Sequence, residues 1–181
     1  MSDHATTDTR EIIVEILLSL EKGQDFSHKL IKAVLDKYDY LDPRDKAFIK
    51  RVTEGTIERQ LELDYYLNRF SSVPVRKMKP LIRCLLRMST YQILYMDAVP
   101  DSAVCNEACK LAAKRGFRTL KGFVNAVLRN ISRSKDKMPL PDPTDPVKYF
   151  SVKYSMPEWI VNLWLPVSVS YTHLRAHETR G

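Results

Sequence analysis

Apolar residues recur at spacings of three and four through most of the chain, which predicts amphipathic helices. The last complete helix of this kind has one uniformly apolar face, formed by Leu120, Phe123, Val124, Val127, Leu128 and Ile131. At about 100° per residue, the opposite face carries Arg118, Lys121, Asn125, Arg129 and Arg133. The pattern predicts one face in a core and one exposed face of cations around a single amide.

Six further helices are predicted before this one from apolar periodicity and from capping residues. The first helix covers residues 6–22 and ends at Gly23, the second is capped by Asp25 or Ser27, and the third begins at Asp42 and Pro43. The fourth covers residues 61–70 and the fifth residues 79–96. The sixth is capped by Asp101 or Ser102 and ends at Gly116. In the third helix, Gly55 indicates a point where a neighbouring element approaches closely.

The fifth predicted helix is apolar on most sides, so we expect it to be the central buried helix. On this helix only Arg83, Arg87 and Thr90 are predicted to face outward. No segment alternates apolar and polar residues cleanly, and no strand is predicted. The predicted fold class is therefore all-α.

The pattern changes after Lys137. Four prolines between residues 139 and 146 predict a stiff extended linker, assigned to residues 138–153. Ser155 and Glu158 match a capping box ahead of a helix with two Trp residues, so residues 154–165 are predicted to begin an incomplete further domain. We interpret residues 166–181 as a non-native tail, since they resemble translated sequencing-adapter read-through.

The net charge of +7 is distributed unevenly. Residues 1–64 hold 10 Lys and Arg against 14 Asp and Glu, residues 65–135 hold 14 against 3, and residues 136–181 hold 5 against 5. A basic half beside an acidic half is typical of a protein that binds a polyanion. An anionic membrane surface is the alternative, but the apolar faces of the basic helices are committed to a core.

The cations cluster from the end of the sixth predicted helix into the seventh. The predicted RNA-binding residues are Lys110, Lys114, Arg115, Arg118, Lys121, Arg129 and Arg133. Gly116 between them would let a backbone approach a phosphate, or would serve as the C-cap of the sixth helix; the two roles are compatible. Four tyrosines at helical spacing would either stack on bases or belong to the core, and the spacing favours the core: Tyr65, Tyr66, Tyr91 and Tyr95.

Other chemistry is weakly represented. Cys84, Cys105 and Cys109 are predicted to be reduced, buried thiols rather than metal ligands. His173 and His177 are four residues apart but lack the glutamate position of a zinc protease, so no metal is predicted. No phosphate loop and no nucleophile with a matched base is present, and this chain by itself is not predicted to be catalytic. Without an apolar run of about 18 residues or a signal peptide, a cytoplasmic protein with no membrane partner is expected.

Several segments occur in the order found in the NusB family. They are Leu41–Asp45, Val52–Gly55, Leu63–Asp64, Leu85–Tyr95, Val99–Pro100, Val104–Ala108 and Gly122–Arg129. The chain resembles this family over residues 6–137, which implies an RNA-binding, NusB-like bundle of about seven helices, here followed by the Pro-rich linker and the incomplete next-domain helix. The resemblance also implies that Asn106 and Asn125 are buried amides that bond across the junction of the last helices.

Two subgroups of the family share this domain. One is the stand-alone transcription antitermination factor, which binds boxA RNA together with a ribosomal protein. The other is the N-terminal domain of the RsmB type of 16S rRNA cytosine-5 methyltransferase, and the continuation through Tyr154–Val161, with Gln92 and Arg129, resembles it more closely. That subgroup implies S-adenosylmethionine and two catalytic cysteines, one of them directly after a proline, in the full-length enzyme. None of the three cysteines here follows a proline, so neither a catalytic residue nor a cofactor is assigned to this chain.

Overall fold

The computed structural model describes residues 8–23 and 27–165, and the chain divides into two compact units, Met1–Met138 and Pro139–Gly181. The helices of the first unit are α1 (Thr9–Glu21), α2 (Ser27–Lys37), α3 (Pro43–Glu58), α4 (Gln60–Phe70), α5 (Pro80–Tyr95), α6 (Asp101–Lys114) and α7 (Lys121–Ser134). Short 3-10 turns precede α5 and flank α7, at Val75–Lys77, Arg118–Leu120 and Lys135–Lys137. No strand occurs in the described residues, and the all-α prediction is confirmed.

Local sequence signals account for several helix ends. Asp42 accepts a hydrogen bond from the backbone N–H of Arg44 at 2.8 Å, and Pro43 occupies the first turn of α3, as predicted. Gly116 has a φ of +86°, and the N–H of Phe117 donates to the carbonyl of Ala112 at 2.8 Å. This is a Schellman ending, so the C-cap role of Gly116 is confirmed. The predicted cap Asp25 and the side chain of Ser27 lie outside the described residues.

Helix α5 lies at the centre of the first unit. It packs against α1, α3, α4, α6 and α7, and 12 of its 16 residues are buried. The close approach predicted at Gly55 is confirmed, because a Cβ added there would lie 2.1 Å from Cζ of Tyr91. The central position predicted for the fifth helix is therefore confirmed.

The outward orientation predicted for Arg87 and Thr90 is wrong, since both are buried. The guanidinium of Arg87 donates to both carboxylate oxygens of Asp64, at 2.6 and 2.7 Å, and to Glu21 at 2.7 Å. Arg83 also donates to Glu21, at 2.6 and 2.8 Å. Acidic residues from α1 and α4 thus neutralise two cations on the central helix, which apolar periodicity alone does not reveal.

The N-caps predicted for α6, Asp101 and Ser102, are wrong. The N-cap is Pro100, without a side-chain hydrogen bond. Asp101 instead accepts from Oγ of Ser132 at 2.7 Å and from Nζ of Lys135 at 3.3 Å. A residue expected to cap the start of α6 therefore ties that helix to the end of α7.

The second unit contains α8 (Pro146–Lys153), where the sequence predicts an extended linker. The extended conformation predicted for residues 146–153 is therefore wrong. Asp145 caps the start of this helix by accepting a hydrogen bond from the N–H of Lys148 at 3.2 Å. Ser155, with a φ of +49°, follows the end of α8, and the N–H of Met156 donates to the carbonyl of Ser151 at 2.9 Å. The first carbonyl that accepts in the following helix is that of Pro157, bonded to the N–H of Ile160 at 2.9 Å. Ser155 is therefore not the N-cap, and the capping box predicted there is wrong.

Residues 158–165 are helical, as predicted for the segment with two Trp residues. The carbonyl of Pro157 accepts from the N–H of Val161 at 3.2 Å at its start, and the side chains of Trp159 and Trp164 are exposed. The assignments of residues 138–153 as a linker and of 154–165 as the beginning of another domain stay predictions. The predicted tail, with His173 and His177, lies outside the described residues.

Candidate nucleic-acid interface

An open groove of about 440 Å³ lies between α6 and α7. The two helices run antiparallel, because the beginning of α6 meets the end of α7 through Asp101 and Ser132. The groove is lined by Asn106, Cys109 and Lys110 from α6 and by Lys121, Gly122, Asn125 and Arg129 from α7. We call it the α6–α7 groove; it brings together three of the predicted RNA-binding residues.

Helical periodicity places the α7 residues on one stripe. Lys121, Asn125, Arg129 and Arg133 follow one another at intervals of four residues, so they share a face. The other face is buried in the core through Val124, Val127, Leu128 and Ile131. The division into an apolar and a cationic face is confirmed, and packing of the apolar face fixes the direction in which the cationic face points.

The two asparagines occupy a different environment from the one expected. Oδ1 of Asn125 accepts from Nε of Arg129 on the same helix at 3.0 Å. The side chain of Asn106 is exposed and has no hydrogen-bond partner in the described part of the chain. The expectation that both amides are buried and bond across the helix junction is therefore wrong. Their positions instead add polar amide groups to the α6–α7 groove. For Asn125 this agrees with the cationic face predicted from helical periodicity, whereas the position of Asn106 was not predicted.

The predicted RNA-binding cations of α6, α7 and the turn between them differ in how far they are already neutralised. Lys121, Arg118 and Arg133 are exposed and form no ion pair with the residues that the structure describes. Lys110 pairs with Glu107 at 2.8 Å, and the hydrogen bond from this carboxylate raises the pKa of Lys110. Since the Lys110 side chain is 72% exposed, solvent screens this pair strongly.

Lys114 and Arg115 belong to a different contact, with α1. Lys114 donates to Glu11, and Arg115 pairs with Glu15 and, at 3.5 Å, with Glu11. The hydrogen bond from Lys114 is the main cause of the lowered pKa of Glu11. These two predicted RNA-binding residues therefore hold α6 against α1 in the structure.

The three thiols are free and buried, as predicted. Burial raises the pKa of Cys84 to about 12 and also raises those of Cys105 and Cys109, so they are poor nucleophiles at neutral pH. Sγ of Cys109 donates to the carbonyl of Lys121 at 3.6 Å, which links α6 to the start of α7. No group of three His, Cys, Asp or Glu residues between residues 8 and 23 or between 27 and 165 is arranged to hold a metal ion.

The tyrosines considered for base stacking belong mainly to the core. Tyr66 and Tyr91 are buried, with exposed fractions of 4% and 8%. Tyr65 and Tyr95 are half-buried, and Tyr95 accepts a hydrogen bond from Arg59 at 3.2 Å. The core interpretation is therefore confirmed for Tyr66 and Tyr91. Within the described ranges, no helix has the length and apolarity needed to cross a membrane.

Sequence comparison connects this fold to known proteins. The family described as the NusB family matches residues 7–133. The chain is 37% identical over 159 residues to the probable ribosomal RNA small subunit methyltransferase B of Bacillus subtilis (strain 168), an alignment that covers 87% of this chain and 35% of that protein. It is 27% identical over 128 residues to the transcription antitermination protein NusB of Acetivibrio thermocellus, covering 70% of this chain and 88% of that protein.

Structural comparison agrees at the level of the fold. The solved structure of the antitermination factors NusB and NusE in complex with dsRNA matches 70% of this chain and 94% of that chain, with a TM-score of 0.63 and 16% identity. This similarity shows a shared helical arrangement. The chain spans about a third of the length of the two methyltransferase relatives that it matches.

Proposed function

Because the chain belongs to the NusB family, we propose that it is an RNA-binding module whose α6–α7 groove holds the RNA backbone. The observation that carries this proposal is the groove itself, in which Lys110, Lys121 and Arg129 surround the amides of Asn106 and Asn125. Cations supply sequence-independent affinity for phosphates, and amides suit hydrogen bonds with sugar or base edges. The combination fits a folded RNA better than a membrane surface.

The open start of α7 supports the same role. A Cβ added to Gly122 would meet no atom within 4 Å, so the groove is unobstructed where Lys121 and Gly122 line it. A sugar–phosphate backbone could approach the main chain of α7 there. Arg129, one turn beyond Asn125, would then provide a planar donor for a phosphate.

We propose further that this module is the rRNA-holding part of a 16S rRNA cytosine-5 methyltransferase. The support is that the similarity to the Bacillus subtilis methyltransferase covers 87% of the chain and so extends past the matched region 7–133. In that enzyme the module would contribute binding energy remote from the reacting base. S-adenosylmethionine would bind the catalytic domain of the enzyme, and the proposal assigns no cofactor site and no catalytic residue to this chain.

A stand-alone antitermination factor is the second candidate. It is favoured by the match to 88% of the Acetivibrio thermocellus protein. In that role the chain would bind boxA RNA together with a ribosomal protein, whose basic surface would suit the acidic N-terminal half. Pull-down of a ribosomal protein that persists after nuclease treatment would support this candidate over the methyltransferase module.

Salt-dependent binding tests the shared part of both candidates. Filter-binding titrations would measure the affinity of the chain for a 16S rRNA transcript and for a boxA-containing transcript at several salt concentrations. Replacing Lys121, Arg129 and Arg133 with Gln should weaken binding and reduce the slope of log K against log salt by roughly 0.7 to 0.9 for each phosphate that is no longer neutralised. Preference for the first transcript supports the methyltransferase module, and preference for the second supports the antitermination factor.

A matched control separates a local site from general charge. Replacing Lys32, Arg44 and Lys50 with Gln removes the same three charges from exposed positions on α2 and α3. This control should keep nearly the full slope. An unchanged slope in the variant of Lys121, Arg129 and Arg133, or an equal reduction in the control, would show that the α6–α7 groove and the cationic face of α7 that continues it are not the RNA site.

A further inference from the structure

A second group of cations lies at the connection from α4 to α5, and none of its members lines the α6–α7 groove. Arg69 lies in the last turn of α4, Arg76 and Lys77 lie in the following 3-10 turn, and Lys79 immediately precedes α5. All four are exposed and form no ion pair with an acidic residue in the part of the chain that the structure describes. We call these four residues the α4–α5 turn surface.

The two acidic residues that line a groove together with Arg76 are already paired with arginines. Glu21 and Asp64 line an open groove of about 870 Å³ together with Arg76, Arg83 and Arg87. Arg83 forms an ion pair with Glu21, and Arg87 forms ion pairs with both Glu21 and Asp64, at distances of 2.6 to 2.7 Å. The floor of this groove is therefore close to neutral, and the positive charge of the α4–α5 turn surface is not opposed.

The helix that follows adds to the positive potential. The N-cap of α5 is Lys79, without a side-chain capping bond, and the first turn contains no acidic residue. Helix N-termini carry partial positive charge and are stabilised by acidic residues. Here Lys79 places a positive charge beside the partial positive charge of the helix N-terminus, and the two repel each other. A bound anion would relieve this repulsion.

Neutral hydrogen-bonding groups complete the surface. Gln60, Asn68 and Ser72 line the same groove as Arg76. Oδ1 of Asn68 accepts from the backbone N–H of Val75 at 2.8 Å, which leaves its amide nitrogen as a donor. Cations alternating with amide and hydroxyl groups are suited to a chain of phosphodiesters and sugars.

We propose that the α4–α5 turn surface is a second contact for the RNA backbone, separate from the α6–α7 groove. The proposal rests on the proposed function, because it assigns both surfaces to the same RNA. It predicts that a structured RNA touching both surfaces binds more tightly, and with a steeper salt dependence, than either surface alone allows.

Charge neutralisation in the full chain tests the second contact. Replacing Arg76, Lys77 and Lys79 with Gln should weaken binding to the 16S rRNA transcript by at least about tenfold at low salt and reduce the salt slope by about two units, given roughly 0.7 to 0.9 per neutralised phosphate. The variant with Lys32, Arg44 and Lys50 replaced by Gln is the matched control. Thermal unfolding would establish that each variant is folded before its binding is compared.

The outcomes separate this inference from the proposed function. If the wild-type chain binds neither transcript with salt-dependent affinity, the proposed function fails and the second contact fails with it. If the wild-type chain binds RNA but the α4–α5 turn variant keeps the wild-type affinity and slope, only the second contact is overturned. A turn variant that no longer binds phosphatidylserine vesicles while keeping its RNA affinity also overturns the assignment to RNA.

Discussion

The ammonium group of Lys114 at the end of α6 forms an ion pair with Glu11 in the first turn of α1. Arg115, the next residue, pairs with Glu15 and Glu11. The two helices are distant in the chain, and these pairs engage two of the cations that the sequence predicts for RNA. An RNA phosphate that used Lys114 or Arg115 would have to compete with carboxylates that are already in place.

Replacing Lys114 and Arg115 with Gln should therefore affect folding more than RNA binding. We expect a decrease of about 1 kcal/mol in the free energy of unfolding, because each pair is partly exposed and such pairs contribute about 0 to 1 kcal/mol. The salt slope of RNA binding should change less than in the variant of Lys121, Arg129 and Arg133. Urea unfolding and filter binding would measure the two effects, and a larger slope change in the Lys114 variant would contradict this ranking.

Acid should destabilise the first unit through Glu21. Burial acts to raise the pKa of Glu21, but hydrogen bonds and charges from Arg83 and Arg87 outweigh it, and the net pKa is lowered. A carboxylate with a lowered pKa in the folded state stabilises the fold above its unfolded pKa, about 4.3, and that stabilisation is lost as pH falls through the folded value. Replacing Glu21 with Gln should flatten the fall in unfolding free energy below about pH 4.3, measured by urea titrations at several pH values. An equally steep fall in the variant would exclude Glu21 as its source.

Removing the buried guanidinium of Arg87 should destabilise the fold strongly. Its side chain is only 9% exposed and pairs with both Asp64 and Glu21. Replacing Arg87 with Met should cost about 3 kcal/mol, because the two carboxylates are left without this partner in a partly buried site. Replacing the exposed Arg133 with Met is the control, with an expected change within about 0.5 kcal/mol. Similar urea midpoints for the two variants would contradict the structural role of the Arg87 network.

Two glycine-to-alanine substitutions should have opposite effects on stability. At Gly55 the new methyl group would collide with the ring of Tyr91, and we expect a net destabilisation of about 1 to 3 kcal/mol, as for other overpacked cores. At Gly122, which also lies in a helix, the methyl group would meet nothing within 4 Å. There the better helix propensity of Ala should stabilise the fold by up to about 1 kcal/mol, as measured by urea unfolding. Stabilisation by both substitutions would show that α3 and α5 lie farther apart at Gly55.

Features that depend on neighbouring residues could be predicted well. The apolar face of α7, the cap at Asp42 and the helix end at Gly116 all follow from residues within about one turn of each other. The same local reasoning fails at Ser155, because its capping-box pattern competes with the end of α8, in a segment that the prolines assign to a linker. A short helix with a weak apolar pattern is difficult to distinguish from a Pro-rich linker.

The site could be predicted only in part, for a physical reason that Lys110 and Lys114 illustrate. They are one turn apart on α6 and equivalent by sequence, yet Lys110 lines the α6–α7 groove while Lys114 pairs with α1. For Asn125, periodicity predicts the exposed cationic face and the family resemblance implies burial; the structure places it beside Arg129 in the groove. Periodicity shows which residues share a face of a helix. Which neighbouring helix that face contacts depends on tertiary packing.

The sequence by itself determined the all-α class, most helix ends, the excess of positive charge in residues 65–135 and the membership of the NusB family. Helix periodicity, caps and composition act over a few residues, so the chain carries them explicitly. Only the tertiary structure decided which cations stay unpaired, because the acidic partner of Lys114 is 103 residues away along the chain. Packing of α1 and α4 against the central bundle neutralises some cations and leaves those of the α6–α7 groove and the α4–α5 turn surface exposed to solvent.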